Sequence, residues 1–405
     1  MRRQSAPRRV GHNGQPKAYA MRIALVSETY PPEVNGVALT VHALATGLAG
    51  RGHTVEILRP RQRQAAPDDP GVLDVPLPGL PLPGYPGLRL GLPATHSLCR
   101  RWRRWRPDVL YIATEGPLGH AALTAARRLG IPAATGFHTR FDSYAAHYGL
   151  RWLAPWVRAY LRRFHRRADA TLVPTEALAE ELRALGVPRV CVLRRAVDTT
   201  LFHPQRRDAT LRAHWGADGH TPVWLYVGRL APEKNLALAV RAFEAARQVV
   251  PRLRFVLVGD GPARARLAAD HPELILAGVQ RGEALARHYA SADLFVFPSL
   301  SETFGNVILE ALAAGLPVIA HNQAAAREHV REGHSGHLVE PGDEAGFIEA
   351  ATRLSINPGL IRHMGRAAHA ATAALSPATV IADAEALLGR LAEGDPHVPA
   401  TIAPA

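Results

Sequence analysis

Two glutamates in the second half of the chain, Glu302 and Glu310, stand eight residues apart across a loop and the start of a predicted helix. At about 100° per residue, positions eight apart on a helix differ in direction by roughly 80°, so both carboxylates can face one ligand. Gly305 and Asn306 are expected at the helix N-terminus, whose amide groups suit a phosphate. This arrangement suits a ligand with phosphates and hydroxyl groups. The alternative is that Glu302 only supports the helix N-terminus and that Glu310 is a solvated helix residue.

A second loop, directly after a predicted strand, carries Arg229 and Lys234. A guanidinium offers a planar fork of donors and an ammonium offers a compact charge, so together they can neutralise a diphosphate leaving group. Lysine occurs only at Lys17 and Lys234, although lysine and arginine total 48. We therefore expect a specific role for Lys234. The alternative is a surface salt bridge of Arg229 or Lys234 with Glu233.

Two motifs in the first half of the chain are further candidates. Asn35 and Gly36 follow the first predicted strand; both residue types tolerate positive φ, and a glycine lets backbone approach a phosphate closely. Asn-Gly also forms ordinary turns. His138 lies at the end of a later strand, where it can hydrogen-bond a transferred sugar or stabilise charge near a reacting carbon. The chain has 20 histidines, so a structural role is the alternative.

Other sequence patterns argue against a metal ion or a cofactor. No Asp-x-Asp pair follows a strand, so we expect no divalent metal on the diphosphate. Neither a GxxxxGK[ST] nor a GxGxxG motif occurs; Gly259 belongs to a tight strand-to-helix turn. Cys99 and Cys191 have no metal-ligand spacing and provide no disulfide framework.

Short apolar strands alternate with helical patterns along the whole chain, which is typical of an α/β protein with parallel sheets. We predict strands in the first half at residues 21–27, 54–60, 108–113, 132–137 and 170–175, and a loop over the Pro- and Gly-rich residues 72–93. The pattern restarts after about residue 205, with strands at 223–228, 254–259, 274–278, 294–299 and 317–320. The prediction is two Rossmann-like, doubly wound domains that face each other across a cleft at the carboxyl ends of both sheets.

The net charge of +13 favours anionic partners, which include nucleotides, nucleic acids and acidic lipid headgroups. The first twenty residues lack the apolar region of a secretory signal, and no apolar stretch is long enough to span a bilayer, so we expect a cytoplasmic protein. Arginines at 100–106 and 158–167, together with Trp152 and Trp156, suit the interface of an anionic bilayer. Peripheral attachment to the inner face of the cytoplasmic membrane is thus a hypothesis. The alternative is a solvated basic face with packed tryptophans.

The spacing of the four charged residues resembles that of the retaining GT-B glycosyltransferases of glycosyltransferase family four, from Met21 to about Leu391. The two glutamates of the family, its E-x7-E motif, match Glu302 and Glu310. The arginine and lysine that bind the donor diphosphate in the family match Arg229 and Lys234. The glycine-rich loop of the family matches Asn35 and Gly36, with asparagine where many members have a second glycine. A family histidine near the donor sugar matches His138.

The resemblance implies metal-independent transfer of a hexose from a nucleotide-diphosphate sugar to an acceptor hydroxyl, with retention. The segments SETYPPEVNGV and FHTRFDSYAAHYG are most similar to bacterial GDP-mannose-dependent α-mannosyltransferases and the related sulfoquinovosyl transferases that build glycolipids. We therefore expect GDP-mannose as the donor and a glycolipid or lipid as the acceptor. The implied catalytic residues are His138, Arg229, Lys234 and Glu302; the implied donor-binding residues are Gly36, Gly259, Gly278, Gly305, Asn306 and Glu310, with Glu310 on the ribose.

The predicted organisation has five parts: a basic disordered tail (1–20), an N-terminal acceptor-side domain (21–205), a C-terminal domain that binds the nucleotide sugar (206–375), a C-terminal helix (376–394) and a tail (395–405). Two other functions remain open. A nucleotide-sugar epimerase of GT-B fold would isomerise a sugar without an acceptor. A nucleic-acid-binding protein would explain the charge, but its base-reading motifs are not found and no nucleic acid is expected as a partner.

Overall fold

The computed structural model of the protein describes residues 20–33, 35–62, 67–81, 89–137, 154–300, 302 and 304–395. The chain divides into two compact units between Ala134 and Thr135, and the last helix passes from one unit to the other between Leu387 and Leu388. Two large sheets with parallel strand pairs carry the fold, as the alternating strand and helix patterns predict.

The first sheet has the strand order β3-β2-β1-β6-β7-β8-β9. Its strand β1 is buried from Ile23 to Val26, because helices cover both faces of a parallel sheet and the strand must then be apolar throughout. A separate antiparallel hairpin consists of β4 and β5. The strands are β1 (Arg22–Val26), β2 (Thr54–Pro60), β3 (Val72–Leu77), β4 (Gly79–Pro81), β5 (Arg89–Gly91), β6 (Val109–Ile112), β7 (Ala133–Gly136), β8 (Ala170–Val173) and β9 (Val190–Val192).

The second sheet has the strand order β12-β11-β10-β13-β14-β15, with β10 in the middle. The order reverses between β10 and β13, and such a switch point opens a crevice at the carboxyl ends of the strands. The strands are β10 (Val223–Val227), β11 (Arg254–Val258), β12 (Ile275–Gly278), β13 (Leu294–Phe297), β14 (Val318–His321) and β15 (Gly336–Val339).

Helices connect most of these strands, and several begin at side chains that cap them. Asn35 caps α1 through Ala38 N (2.9 Å), and Thr175 caps α5 through Leu178 N (3.3 Å). The helices are α1 (Gly36–Gly50), α2 (Thr95–Trp105), α3 (Pro117–Leu129), α4 (Ala154–His165), α5 (Glu176–Ala184), α6 (Ala209–His214), α7 (Leu236–Val249), α8 (Arg264–Asp270), α9 (Gly282–Ser291), α10 (Asn306–Ala313), α11 (Ala324–His329), α12 (Glu344–Ser355), α13 (Pro358–Ala371) and α14 (Pro377–Ala392). None of the helices in the described residues is both long and apolar enough to cross a bilayer.

The prediction of a loop over residues 72–93 is wrong. The described part of this segment contains β3, β4 and β5. Strand β3 lies at the edge of the first sheet, where Pro76 pairs with Arg59 of β2. An edge strand tolerates proline because only one side of its backbone needs a partner, so the Pro-rich composition was misleading. Along the sequence, the segment between Val192 and Val223 separates the last strand of the first sheet from the first strand of the second. The domain limits proposed from the sequence stay a prediction.

A buried carboxylate fastens α2 to the first sheet. Glu56 on β2 is fully buried, and its two oxygens accept hydrogen bonds from Arg101 Nε and Trp102 Nε1, both at 2.8 Å. Burial raises the pKa of Glu56, whereas the two donors oppose that rise. Arg22 Nη1 also donates to the carbonyl oxygen of Trp105 at 2.8 Å. The carboxyl-terminal half of α2 is thus held at several points.

We expect Glu56→Ala to lower the free energy of unfolding by about 3 kcal/mol, because the substitution leaves the Trp102 N–H buried without its acceptor and Arg101 without its counter-ion. Urea denaturation followed by circular dichroism measures the change. Glu180→Ala, which removes an exposed carboxylate from α5, is the control and should change stability by less than about 0.5 kcal/mol. Equal effects of the two substitutions would contradict the structural role of Glu56.

Candidate functional site

Three glycines form the carboxyl edge of the second sheet at strands β10, β11 and β12. Gly259 N donates to Gly278 O at 2.8 Å, and Gly228 N donates to Val258 O at 3.0 Å. Gly259 has φ +140°, and a Cβ atom there would lie 1.9 Å from Gly228 O, so only glycine fits. This part of the edge therefore exposes backbone rather than side chains, which leaves room for a flat ligand group.

The loop between β10 and α7 is held in a defined conformation. Tyr226 Oη donates to the carbonyl oxygen of Arg229 at 3.0 Å. A single 3₁₀ turn follows at Pro232–Lys234, and Asn235 then adopts the left-handed conformation with φ +52° before α7 begins. Because the loop is fixed at both ends, the side chains of Arg229 and Lys234 start from well-defined backbone positions.

Lys234 and Glu302 form an ion pair that joins two loops of the second sheet. Lys234 Nζ contacts Glu302 Oε1, and Ser299 Oγ donates to the same oxygen at 2.9 Å. The two charged side chains are only 18% and 16% exposed. The structure thus brings together a cation that follows β10 and a carboxylate that follows β13. Sequence reasoning predicted both residues but neither their pairing nor the contribution of Ser299.

Arg229 occupies a more open position. Its Nη1 atom lies 3.5 Å from Glu233 Oε1, so the salt bridge considered as an alternative exists for Arg229, whereas Lys234 pairs with Glu302 instead. The Arg229 side chain is 48% exposed. An ion pair this exposed contributes less than about 1 kcal/mol, so it does not prevent the guanidinium from turning to another anion.

The loop that contains Glu302 leads directly into a helix N-terminus. Helix α10 begins at Asn306, and Gly305 precedes it with φ +91°. Glycine is favoured at such a φ value, and it has no side chain to cap the first amide groups of the helix. The sequence analysis predicted Gly305 and Asn306 at the N-terminus of this helix, and the structure confirms that prediction. Their amides remain suited to an anion, and a role in donor binding stays a prediction.

Glu310 lies one turn into α10 and is not the solvated residue of the alternative interpretation. Tyr289 Oη, from α9, donates to Glu310 Oε2 at 2.9 Å. Burial raises the pKa of Glu310 to about 7, and the hydrogen bond from Tyr289 opposes that rise. Sequence reasoning missed Tyr289, and no sequence signal connects two residues that lie 21 positions apart.

In the first half of the chain, Asn35 has an extended backbone with φ −149° and does not adopt the positive φ that asparagine tolerates. Its side chain explains the difference: Oδ1 accepts from Ala38 N at 2.9 Å and Nδ2 donates to Thr29 Oγ1 at 2.7 Å. Gly36 is the first residue of α1. The loop is therefore organised as a helix cap, and phosphate binding by Gly36 stays a prediction.

Two further expectations concern His138 and metal ions. His138 lies outside the described residues. Among the residues that are described, Glu244, His271 and Glu273 bring potential metal-ligand atoms within 4.8 Å of one another. None of the three belongs to the loops that carry Arg229, Lys234 and Glu302. Metal independence of the reaction stays a prediction.

The carboxyl edge of the second sheet thus combines cations, a helix N-terminus, carboxylates and exposed glycine backbone. Cations and helix amides suit phosphates, and carboxylates suit hydroxyl groups. Ligands of open α/β sheets bind at this edge. The arrangement is suited to a ligand that carries both phosphates and hydroxyl groups.

Comparison with known families gives two matches that together span most of the chain. The sequence model described as Glycosyltransferase Family 4 matches residues 34–201. The model described as Glycosyl transferases group 1 matches residues 221–357, which include the loops of Arg229, Lys234, Glu302 and Glu310.

Individual proteins agree with these matches. A GDP-mannose-dependent alpha-mannosyltransferase of Mycobacterium tuberculosis is 38% identical over 328 residues, which cover 80% of this chain and 85% of that protein. An alpha-monoglucosyldiacylglycerol synthase of Acholeplasma laidlawii is 26% identical over 374 residues, which cover 87% of this chain and 92% of that protein.

A similar fold occurs in the solved structure of sucrose-phosphate synthase from Thermosynechococcus elongatus. It superimposes with a TM-score of 0.75 at 20% identity, over 93% of this chain and 100% of that chain. The fold, the residues at the edge of the second sheet and the sequence relatives lead to one assignment: the chain belongs to glycosyltransferase family 4 and is a GT-B glycosyltransferase.

Proposed function

We propose that the enzyme transfers mannose from GDP-mannose to a hydroxyl group of a lipid or glycolipid, with retention of configuration and without a metal ion. The observation that carries the proposal is the Lys234–Glu302 ion pair at the carboxyl edge of the second sheet. The name of the mycobacterial relative supports the donor, and the name of the Acholeplasma relative supports a lipid acceptor.

In this proposal, Lys234 and Arg229 stabilise the departing diphosphate. An ammonium group has three N–H donors, so Lys234 can keep its bond to Glu302 and still donate to phosphate oxygens. Arg229 turns its fork of donors from Glu233 towards the same phosphates. The amides at the start of α10 add further positive potential. These charges are in place before the reaction, so they stabilise negative charge as it develops on the leaving group.

The carboxylates are assigned to hydroxyl groups of the donor. Both Lys234 and Ser299 contact Oε1 of Glu302, and we assign Oε2 to a hydroxyl of the mannose. Glu310 would accept from the ribose. His138 is assigned to the sugar near its reacting carbon. The bond between C1 and the diphosphate breaks, the acceptor oxygen binds C1 from the same face, and the hydroxyl proton leaves with GDP.

We expect Lys234→Ala and Arg229→Ala each to lower kcat by about 100- to 1,000-fold, the loss typical when one preorganised electrostatic contact to a transition state is removed. The measurement is release of GDP from GDP-mannose together with mannosyl product, which also excludes an epimerase that needs no acceptor. Arg241→Ala, which removes an exposed arginine of α7, is the matched control. Near-normal rates in the two site variants would rule out their assigned role.

The raised pKa of Glu310 predicts pH-dependent donor binding. Ribose hydroxyls donate to a carboxylate, so they favour its ionised form, and GDP affinity should rise as the pH increases through about 7. Between pH 5.5 and 8 we expect a gain of about tenfold in the wild type beyond that seen in Glu310→Gln. The variant is the control, because the terminal phosphate of GDP itself titrates near a pKa of about 6. Calorimetry measures GDP affinity against pH for both proteins. If the wild type and Glu310→Gln show the same pH dependence, Glu310 does not contact the ribose.

A membrane-borne acceptor is supported by the surface of α4. Trp156 and Tyr160, one turn apart on this helix, are 73% and 43% exposed. Arg163, an exposed arginine three positions after Tyr160, lies on the same side of the helix as the two aromatic residues. Exposed aromatic residues beside arginines suit the headgroup region of an anionic bilayer. The alternative of packed tryptophans holds for Trp102, which is buried, but not for Trp156.

We expect the protein to sediment with vesicles that contain phosphatidylglycerol at low salt and to be released by high salt, because surface charges are screened. The double substitution Trp156→Ser and Tyr160→Ser should reduce the bound fraction several-fold. Ile356→Ser removes an equally exposed apolar side chain elsewhere and is the control. If the wild type stays in the supernatant at low salt, the membrane proposal is refuted.

A further inference from the structure

Five buried aromatic side chains form a continuous row in the core around the second sheet. Tyr226 of β10 stacks on Phe297 of β13, with ring centroids 6.0 Å apart, and Phe297 stacks on Phe295 at 5.7 Å. Tyr289 of α9 packs at 5.7 Å from Phe295, and Phe202 and Tyr289 form an edge-to-face pair at 5.6 Å. These separations are typical of favourable aromatic pairs, and a close-packed core leaves each ring little freedom. The aromatic row therefore fixes where the hydroxyl groups of its two tyrosines lie.

Both hydroxyl groups of the aromatic row reach residues of the candidate site. Tyr226 Oη donates to the carbonyl oxygen of Arg229 at 3.0 Å, and Tyr289 Oη donates to Glu310 Oε2 at 2.9 Å. Phenylalanine would fill either place in the core, so packing does not account for the hydroxyl groups. The bond of Tyr226 is to the backbone, whereas Tyr289 acts on a side chain that is assigned to the donor.

Helix α9 turns Tyr289 towards the sheet. Ala286, Tyr289 and Ala290 are spaced three and four positions apart and lie on the buried face of this helix. Two oxygen atoms are near the Tyr289 hydroxyl: Glu310 Oε2 at 2.9 Å and the carbonyl oxygen of Val307 at 3.5 Å. The longer distance is at the limit for a hydrogen bond, so the phenol proton is donated to the carboxylate.

Glu310 has one oxygen held and one oxygen open. Its Oε2 atom accepts from Tyr289, and among the described residues Oε1 has neither a hydrogen-bond donor nor a cation as partner. Within the same residues, Tyr289 is also the titratable group that acts on this carboxyl, and its hydrogen bond favours the ionised form. An ionised carboxylate accepts several hydrogen bonds, so Oε1 can accept from a hydroxyl of a ligand while Oε2 keeps its bond to Tyr289.

We propose that Tyr289 is a positioning residue of the donor site: its hydroxyl holds Oε2 of Glu310 and thereby presents Oε1 to the ribose of the nucleotide. The inference rests on the proposed function, because the ribose is assigned to Glu310 there. In this role Tyr289 acts through Glu310 and does not itself contact the donor. Since the aromatic row fixes Tyr289, the carboxylate is oriented before the donor arrives, which lowers the cost of ordering it on binding.

The test variant is Tyr289→Phe, which keeps the ring in the aromatic row and removes only the hydroxyl. Without that donor the ionised form of Glu310 loses an advantage of about tenfold, so the pKa of Glu310 rises above its wild-type value of about 7. Because the ribose favours the ionised form, the midpoint of the pH profile of GDP affinity should move up by about one pH unit. Calorimetry should show about fivefold weaker GDP binding at pH 7 and a difference of less than about twofold at pH 8.5.

Two controls separate positioning from a general loss of stability. Ser355→Ala removes another buried hydroxyl of the same core, the acceptor of Trp224 Nε1 at 2.9 Å, and should leave the pH profile unchanged. In a Glu310→Gln background, Tyr289→Phe should no longer alter the pH profile, because the group that titrates is absent.

A second measurement reports on Tyr289 without any donor. Difference infrared spectra of the free enzyme, each taken against the matching Glu310→Gln protein, follow the carbonyl stretch of protonated Glu310 as the pH changes. We expect this titration to move to higher pH in Tyr289→Phe and to stay unchanged in Ser355→Ala.

The inference is overturned if the infrared titration of Tyr289→Phe equals that of the wild type, or if Ser355→Ala moves it as far. It is also overturned if Tyr289→Phe keeps the wild-type GDP profile while Glu310→Gln does not. If the infrared titration shifts but GDP binding is independent of Glu310, Tyr289 positions the carboxylate as inferred and the ribose assignment of the proposed function is refuted.

Discussion

The ion pair between Lys234 and Glu302 connects the loop after β10 with the loop after β13, and the proposed donor site is built on these two loops. The two residues lie 68 positions apart, and both side chains are mostly buried. Each of these two largely buried charges is stabilised by the other, because leaving one of them unpaired would cost several kcal/mol of folding free energy. The pair therefore fixes the positions of a cation and a carboxylate before any substrate arrives. In the proposed reaction, charges that are already in position need not reorganise when negative charge develops on the leaving group.

Two carboxylates with raised pKa values, Glu56 and Glu310, differ in their partners. Glu56 is fully buried and bound by a guanidinium and an indole N–H, so a ligand cannot reach it and its role is structural. Glu310 has a neutral phenol as its partner, and burial raises its pKa to about 7. A carboxyl group with a pKa near 7 changes its protonation state when a ligand favours either the ionised or the protonated form. The nature of the partner therefore separates a fixed carboxylate from a responsive one.

The arginines of α2 also divide into one with a structural role and others without a carboxylate partner among the described residues. Arg101 binds Glu56 and so holds α2 to the first sheet, whereas Arg100 and Arg104 on the same helix are exposed. Trp102 is packed inside while Trp156 on α4 is exposed, although both stand among arginines in the sequence. A run of arginine and tryptophan in a sequence does not reveal this difference. The direction of each side chain depends on the helix phase and on which neighbour supplies a counter-charge.

Local patterns in the sequence were sufficient to predict both parallel sheets apart from their edge strands β3, β9 and β15, and also the start of α10 at Asn306. Buried parallel strands are continuous apolar runs, and a glycine before a helix is a local signal, so neither needs knowledge of distant residues. The candidate charges Arg229, Lys234, Glu302 and Glu310 were also recognisable by type and spacing. Only the tertiary structure decided that Lys234 binds Glu302, that Tyr289 binds Glu310, and that Pro76 lies in an edge strand. These outcomes depend on which elements become neighbours in space, and hydrogen bonds and ion pairs act over a few ångströms between residues that the sequence separates widely.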